Sequence, residues 1–349
     1  MSDGPPGPGS AGMGALRGAR VLVTGAAGFI GAHLCRRLLA EGAELLGLDS
    51  LNPYYDPALK RARLAALCDA PGFAFRELDV AEPGALAAAW AGFRPDFVAH
   101  LAAQAGVRHS LAAPRAYTRA NVDGFLEVLE AARAHPVRHL AYASSSSVYG
   151  SSTRVPFRED DPVDRPSSLY AATKRANEVM AQSYAHLFAL PLTGLRFFTV
   201  YGPWGRPDMA YWSFTRALFA GEEIRVFNHG RVWRDFTYVD EVVEAIARLL
   251  PAPPQRAEEP GRVVEAAPHR LFNLGNHTPE PVDALLESLE RHTGRRALRR
   301  EVPMQPGDVE RTWADVSALQ AATGFAPRTP LDEGLGHFVR WYREFHGLG

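Results

Sequence analysis

Cysteine is nearly absent from this chain: Cys35 and Cys68 are the only two in 349 residues, too few for a disulfide framework. Both fall in apolar stretches with helical spacing, so the expectation is a pair of reduced, buried thiols in a cytoplasmic protein. No apolar run reaches the ~18 residues that a membrane span requires. Residues 1–19, rich in Gly, Pro and Ser, lack the apolar stretch of a secretory signal and read as a disordered tail. An excess of charge is missing too. With 38 Lys and Arg against 39 Asp and Glu, the net charge is −1, which gives no footprint for nucleic acid or an anionic membrane. Any phosphate must therefore be gripped locally. The histidines are scattered, with no His-Glu-x-x-His or Cys-x-x-Cys spacing, which argues against a metal site. His135, His139 and His186 read as surface or helix-end residues. There is no internal repeat.

What is present is a regular alternation. Short apolar runs begin at Val21, Leu45, Phe73, Phe97, Leu140 and Leu192, separated by stretches of helical periodicity, clearest over 117–133 and 168–187. Strands alternating with helices give a parallel sheet wound on both faces, an α/β fold. After Tyr201 the pattern breaks into the turn-rich Gly202-Pro-Trp-Gly-Arg-Pro207, a helix and a Phe227-Asn-His-Gly230 loop. The stretch 251–268, mixing Pro, Arg and Glu, reads as a surface excursion.

The chemistry sits on two motifs. Gly25-Ala-Ala-Gly28-Phe-Ile-Gly31 lies where the first strand turns into the first helix, the place at which a parallel sheet receives a dinucleotide pyrophosphate. Asp49 ends the second strand, about 20 residues on, where a carboxylate accepts from ribose hydroxyls and repels a 2′-phosphate, which selects NAD over NADP. Asp79 and Val80 end the third strand beside the expected adenine, with helix capping as the alternative role for Asp79. Leu101, Ala102 and Ala103 end the fourth with little bulk. The second motif is Tyr170-Ala-Ala-Thr-Lys174. Four apart on a helix, phenol and ammonium share a face, and the positive charge favours phenolate. Together the motifs indicate a redox enzyme.

The chain from about residue 20 onward resembles the extended short-chain dehydrogenase/reductase family of nucleotide-sugar enzymes. The resemblance is carried by Thr24 to Gly31, His100-Leu-Ala-Ala103, Ser144-Ser-Ser-Ser-Val-Tyr-Gly150 and Tyr170-x-x-x-Lys174 in order. Within the family it is most similar to the UDP-glucuronate 4-epimerases, through Leu195 to Met209, Val226-Phe-Asn-His-Gly230 and Arg234-Asp-Phe-Thr-Tyr-Val-Asp240. The resemblance implies a Rossmann-type doubly wound sheet over 20–200, with a return segment near 236–275. It also implies a smaller C-terminal substrate-binding α/β domain over 201–235 and 276–349.

It further implies Tyr170, Lys174 and Ser145 as catalytic residues, and a cofactor set of Gly25, Gly28, Phe29, Ile30, Gly31, Asp49, Asn52, Asp79, Val80, Leu101, Ala102 and Ala103 with Tyr170 and Lys174. For a UDP-sugar it implies Arg234 at the diphosphate, Asp308 at the ribose, and Phe227 and Asn228 at the uracil. Arg206, with Ser146, Ser147 and Thr199, would receive a hexuronate carboxylate.

Four rivals stay open at this stage. UDP-glucuronate decarboxylation and nucleotide-sugar 4,6-dehydration use an acid where this chain has Ser146 and Ser147. UDP-glucose 4-epimerization leaves Arg206 without a purpose. A catalytically dead NAD-binding sensor or scaffold leaves the set Ser145, Tyr170 and Lys174 unexplained. The family often dimerises through two helices per subunit, which correspond to 117–133 and 168–187, so a homodimer is expected.

Overall fold

The computed structural model of the protein describes residues 14–255, 267–304 and 309–348. All six apolar runs form strands: β1 (Arg20–Thr24), β2 (Glu44–Asp49), β3 (Phe73–Glu77), β4 (Phe97–His100), β5 (His139–Ser145) and β6 (Leu192–Phe197). The later strands are β7 (Thr199–Tyr201), β8 (Glu223–Phe227), β9 (Trp233–Tyr238), β10 (His269–Leu274), β11 (Pro279–Pro281) and β12 (Leu298–Val302). Among the described residues β10 joins the first six in one sheet, ordered β3-β2-β1-β4-β5-β6-β10 and parallel throughout. The order reverses between β1 and β4, and that crevice is where such a sheet takes its ligand.

Both faces of the sheet are covered, which is why its strands read as apolar runs rather than alternating ones. Helices α1 (Phe29–Ala40), α2 (Pro57–Cys68) and α3 (Ala85–Phe93) follow the first three strands. After β4 come two short helices, α4 (His109–Ala112) and α5 (Pro114–Tyr117), then α6 (Gly124–Ala134) and, after β5, α7 (Leu169–Phe188). Leu34, Cys35 and Leu38 of α1 pack on one side of the sheet, and Trp90, Phe125, Leu129 and Ala181 fill the other.

The remaining helices are α8 (Ala210–Ala220), α9 (Val239–Leu249), α10 (Val282–Thr293), α11 (Ser317–Thr323) and α12 (Leu331–His346). A separate, strongly aromatic core of Tyr201, Tyr211, Trp212 and Phe338 with Leu285, Leu289 and Leu335 joins α8, α10 and α12. It lies with the parallel pair β8 and β12 and the three-stranded sheet β11-β9-β7.

The structure corrects several expectations. The helix over 117–133 is interrupted by a π-turn, Thr118–Asp123, between α5 and α6. The wide turn sets Asn121 into the core, where its side chain accepts from Gln104 N (2.8 Å) and donates to Thr173 Oγ1 (3.0 Å). A single extra residue per turn leaves 3.6-residue periodicity looking intact. His139 opens β5 and is fully buried. One ring nitrogen lies 2.9 Å from the Leu250 carbonyl and the other 2.7 Å from Thr193 Oγ1, and burial lowers its pKa to about 4. Cys35 is buried, but Cys68, the last residue of α2, is exposed. Residues 1–13 of the expected tail lie outside the described residues, while Leu16 is fully buried in the first core because it packs under α1 and β1. Of the 251–268 excursion, residues 256–266 also lie outside the described set.

Helix α7 is fastened to the sheet by charge. Arg196 of β6 donates to Glu178 from Nε (2.8 Å) and Nη2 (3.0 Å), and Ser144 of β5 donates to the same carboxylate (2.7 Å). Both charged side chains are 1% exposed. Burial pushes the Glu178 carboxyl upward, yet Arg196 outweighs it and the net pKa lies below the ordinary value. The contribution of the pair is therefore fully present above the ordinary carboxylate range and is lost as pH falls through the lowered value. Glu178→Gln leaves the guanidinium without its buried counter-charge, so unfolding in urea at neutral pH is expected to show a loss of about 3–5 kcal/mol. A loss under about 1 kcal/mol, the range of a surface pair, would contradict this account.

Candidate active site

A cleft of about 1080 Å³ opens at the carboxyl ends of β1, β2, β4 and β5. Its first wall is the glycine turn. Gly25 has φ +74°, and a Cβ there would lie 2.8 Å from Ala102 N. A Cβ on Gly31 would lie 2.0 Å from the Gly25 carbonyl oxygen, so only glycine lets α1 start this close to β1. Gly28 is required by the turn as well, since a Cβ there would stand 2.9 Å from the same oxygen, and it lines the cleft.

The structure brings the whole proposed cofactor set to this cleft: Gly25, Gly28, Phe29, Ile30, Gly31, Asp49, Asn52, Asp79, Val80, Leu101, Ala102, Ala103, Tyr170 and Lys174. Asp49 accepts from Ala27 N (3.2 Å) and Leu51 N (2.8 Å). Asp79 accepts from Ala81 N (3.0 Å) in the turn ahead of α3, whose N-cap is Gly84, so it does not cap that helix as the alternative expected, and it also pairs with Arg119. Sequence reasoning missed Lys60, whose Nζ lies 3.4 Å from Asp49 and 3.2 Å from Asn52 Oδ1. It missed Tyr54 and Gln104 on the same wall as well. No local spacing marks these residues, because each reaches the cleft through tertiary packing.

At the other end, Ser145, Tyr170 and Lys174 converge. Ser168 Oγ caps α7 by accepting from Ala171 N (3.1 Å), which fixes the first turn and with it Tyr170. Desolvation raises the Tyr170 pKa, opposed by a hydrogen bond with Ser145 and by the positive charge of Arg206. Lys174 donates instead to the Ala143 carbonyl (2.8 Å), and burial lowers its pKa to about 7. Arg206 is thus a charge in this structure that favours phenolate. His100, stacked on Phe125, has Nδ1 2.8 Å from Thr24 Oγ1 and is kept neutral, its pKa lowered to about 3 chiefly by burial.

Of the proposed substrate residues, Arg206 and Ser145 line the cleft, whereas Ser146, Ser147, Thr199, Phe227, Asn228 and Arg234 are not among its walls. Ser147 Oγ donates to Ser145 Oγ (3.0 Å), so it acts on Ser145. Thr199 is held in β7 opposite Phe236. Arg206 does not present an open fork: Asp208 takes its Nε (3.0 Å) and Nη2 (2.5 Å), and Tyr54 donates to Asp208 (3.2 Å). The Arg-Pro-Asp spacing carried that signal in the sequence. Arg234 donates to the Val309 carbonyl (2.8 Å), and Arg108 stands 5.6 Å over the Phe227 ring. Asp308 lies outside the described residues.

Residues 21–267 match the NAD dependent epimerase/dehydratase family. The chain belongs to that family. It is 45% identical over 329 residues to a protein named "Probable UDP-glucuronate 4-epimerase" from Rhizobium meliloti (strain 1021), covering 93% of this chain and 96% of the relative. It is 46% identical over 338 residues to UDP-glucuronate 4-epimerase 3 of Arabidopsis thaliana, covering 95% of this chain and 78% of that one. Among solved structures it is similar to UDP-glucuronic acid 4-epimerase from Bacillus cereus in complex with UDP-glucuronic acid and NAD. That similarity has a TM-score of 0.83 at 28% identity, over 93% of this chain and 99% of that one.

The cleft of this family member fits the dinucleotide on its own chemistry. Helix α1 has no side-chain cap and no acidic residue in its first turn, so its free N–H groups face the cleft uncompensated, a cradle for a diphosphate. Asp49 and Lys60 stand one strand away, where a ribose diol finds both acceptor and donor.

Proposed function

We propose that the protein converts UDP-glucuronic acid to UDP-galacturonic acid by NAD-dependent 4-epimerization, an isomerase reaction through a transient 4-keto sugar. The observation that carries the reading is the convergence of Ser145, Tyr170 and Arg206 at one end of a cleft whose other end is the glycine turn and Asp49. The relatives from R. meliloti and Arabidopsis carry the name UDP-glucuronate 4-epimerase, and the B. cereus structure holds UDP-glucuronic acid with NAD.

When bound, NAD supplies an acceptor and donor of hydride. Asp49 and Lys174 would hold its riboses and the start of α1 its diphosphate. Tyr170 takes the proton of the sugar 4-hydroxyl as C4 is oxidised and returns it after the ring has turned over. Ser145 hydrogen-bonds the reacting oxygen, held in place by Ser147. Because inversion requires a mobile sugar, binding energy belongs on UDP. Arg234, Asp308 and the Phe227–Asn228 backbone are proposed for that task.

A 4-keto hexuronate is a β-keto acid that loses CO₂ readily when its carboxylate can rotate. Arg206 meets that carboxylate with its charge and with the donors that Asp208 leaves over. Ser146 and Ser147 provide no carboxyl proton donor of the kind used in elimination.

We assign residues 20–200 and 236–275 to cofactor binding, and 201–235 and 276–349 to the nucleotide sugar. The unpaired thiols Cys35 and Cys68 suit a reducing cytoplasm. Leu126 of α6 and Val179, Leu187 and Phe188 of α7 are exposed, which supports a homodimer through these helices. Light scattering is expected to give twice the chain mass; a monomer would remove the dimer.

Incubated with UDP-glucuronic acid and NAD, the protein is expected to yield UDP-galacturonic acid by NMR, with Tyr170→Phe lowering kcat by about 10²–10⁴. UDP-xylose with CO₂ would mean decarboxylation. Turnover of UDP-glucose in preference would contradict the role given to Arg206, and inactivity of both proteins would mean a binding module.

A further inference from the structure

Arg206 is delivered by a turn that does not hold itself. Trp204, a non-glycine residue, sits at φ +60°, after Gly202 at +143°. Such conformations persist only where the surroundings over-determine them. Gly205 has no room for a side chain, since a Cβ would lie 1.9 Å from Tyr211 Oη.

Three successive carbonyls of this turn are gripped from the cofactor side. The Pro203 oxygen lies 2.9 Å from His33 Nε2 on α1. The Trp204 oxygen accepts from Arg63 Nε (3.0 Å) and Nη2 (2.7 Å), and the Gly205 oxygen from Nη2 (2.7 Å). The same guanidinium donates from Nη1 to the Ala27 carbonyl (3.0 Å), inside the glycine turn, and to Tyr55 Oη (2.6 Å).

Arg63 is 2% exposed, and no carboxylate among the described residues pairs with it. A buried charge satisfied only by neutral acceptors is costly, and a mere filler of that space would serve stability better as an apolar side chain. What the guanidinium provides that a filler cannot is a fixed distance between the dinucleotide turn and the residue preceding Arg206. Its planar fork reaches two adjacent carbonyls at once, a geometry a lysine ammonium does not reproduce.

We propose that Arg63, assisted by His33, is a positioning residue that sets Arg206 over the reacting centre and ties its placement to the dinucleotide turn. The inference rests on the reading that Arg206 meets the substrate carboxylate. It predicts that Arg63 acts through Arg206, which a double-mutant cycle resolves.

The test uses NAD-loaded wild type, R63K, R206M, R63K/R206M and H33Q, with bound NAD and the thermal midpoint recorded for each. R63K is expected to raise KM for UDP-glucuronic acid about tenfold, as a loosened charge-assisted contact would, with bound NAD within about twofold of wild type. In the R206M background the same change is expected to have almost no further effect. An equal fold-loss in both backgrounds would mean a brace that does not work through Arg206 and would overturn the proposal. Should R63K fail to fold, H33Q makes the same comparison from the other helix, with about a threefold rise in KM that vanishes beside R206M; an additive effect there overturns the proposal equally. Wild type that leaves UDP-glucuronic acid unchanged would sink both the proposed function and this inference. Additivity in an active enzyme would sink this inference alone.

Discussion

The buried contact between Glu178 and Arg196 is the constraint on which the reacting centre depends. Tyr170 and Lys174 stand two turns and one turn before Glu178 on α7, and Ser144, the neighbour of Ser145, donates to the same carboxylate. One ion pair thereby registers a helix against two strands, and the Ser145 hydroxyl against the Tyr170 phenol. Buried pairs seldom add net stability over apolar replacements. What this one provides is a single permitted register, which a sliding apolar interface would leave open.

Electrostatics in the cleft follow from that register. His100 and Lys174 face a low-dielectric interior that disfavours their charge, so the assured cation near Tyr170 is Arg206, whose own charge is secured by Asp208 against burial. The glycine turn brings a second positive element, the uncapped start of α1. The free protein therefore holds a positive element at each end of the cleft, with the Tyr170 phenol between them. That division suits a dinucleotide diphosphate at one end and the carboxylate of a second ligand, the sugar, at the other.

Much of this was legible in the sequence. Six strands were marked by apolar runs because a parallel sheet covered on both faces cannot alternate, and the glycine turn, Asp49 and Tyr170 were marked by spacing within one or two elements. What stayed hidden was whatever depends on contacts between distant segments. Lys60 and Arg63 look like ordinary helix-face cations in α2, yet one meets Asp49 and the other grips a turn more than a hundred residues away. His139 looked like a helix-end residue because its partners, Leu250 and Thr193, are remote in sequence. The sequence offers Arg206 to a carboxylate without showing that Asp208, two residues on, already takes part of its fork. The π-turn at Thr118–Asp123 left no trace in periodicity.

The central claim is that C4 is oxidised and then reduced by the same hydride while Tyr170 handles only the hydroxyl proton. UDP-glucuronic acid carrying deuterium at C4, converted by the NAD-loaded protein in ordinary water, tests it most directly by mass spectrometry and NMR of the product. The account predicts UDP-galacturonic acid that retains the deuterium at C4, because the hydride that leaves C4 is the one returned to it. Deuterium lost to solvent from C4 during inversion would contradict it and would mean that the carbon is inverted by proton exchange instead.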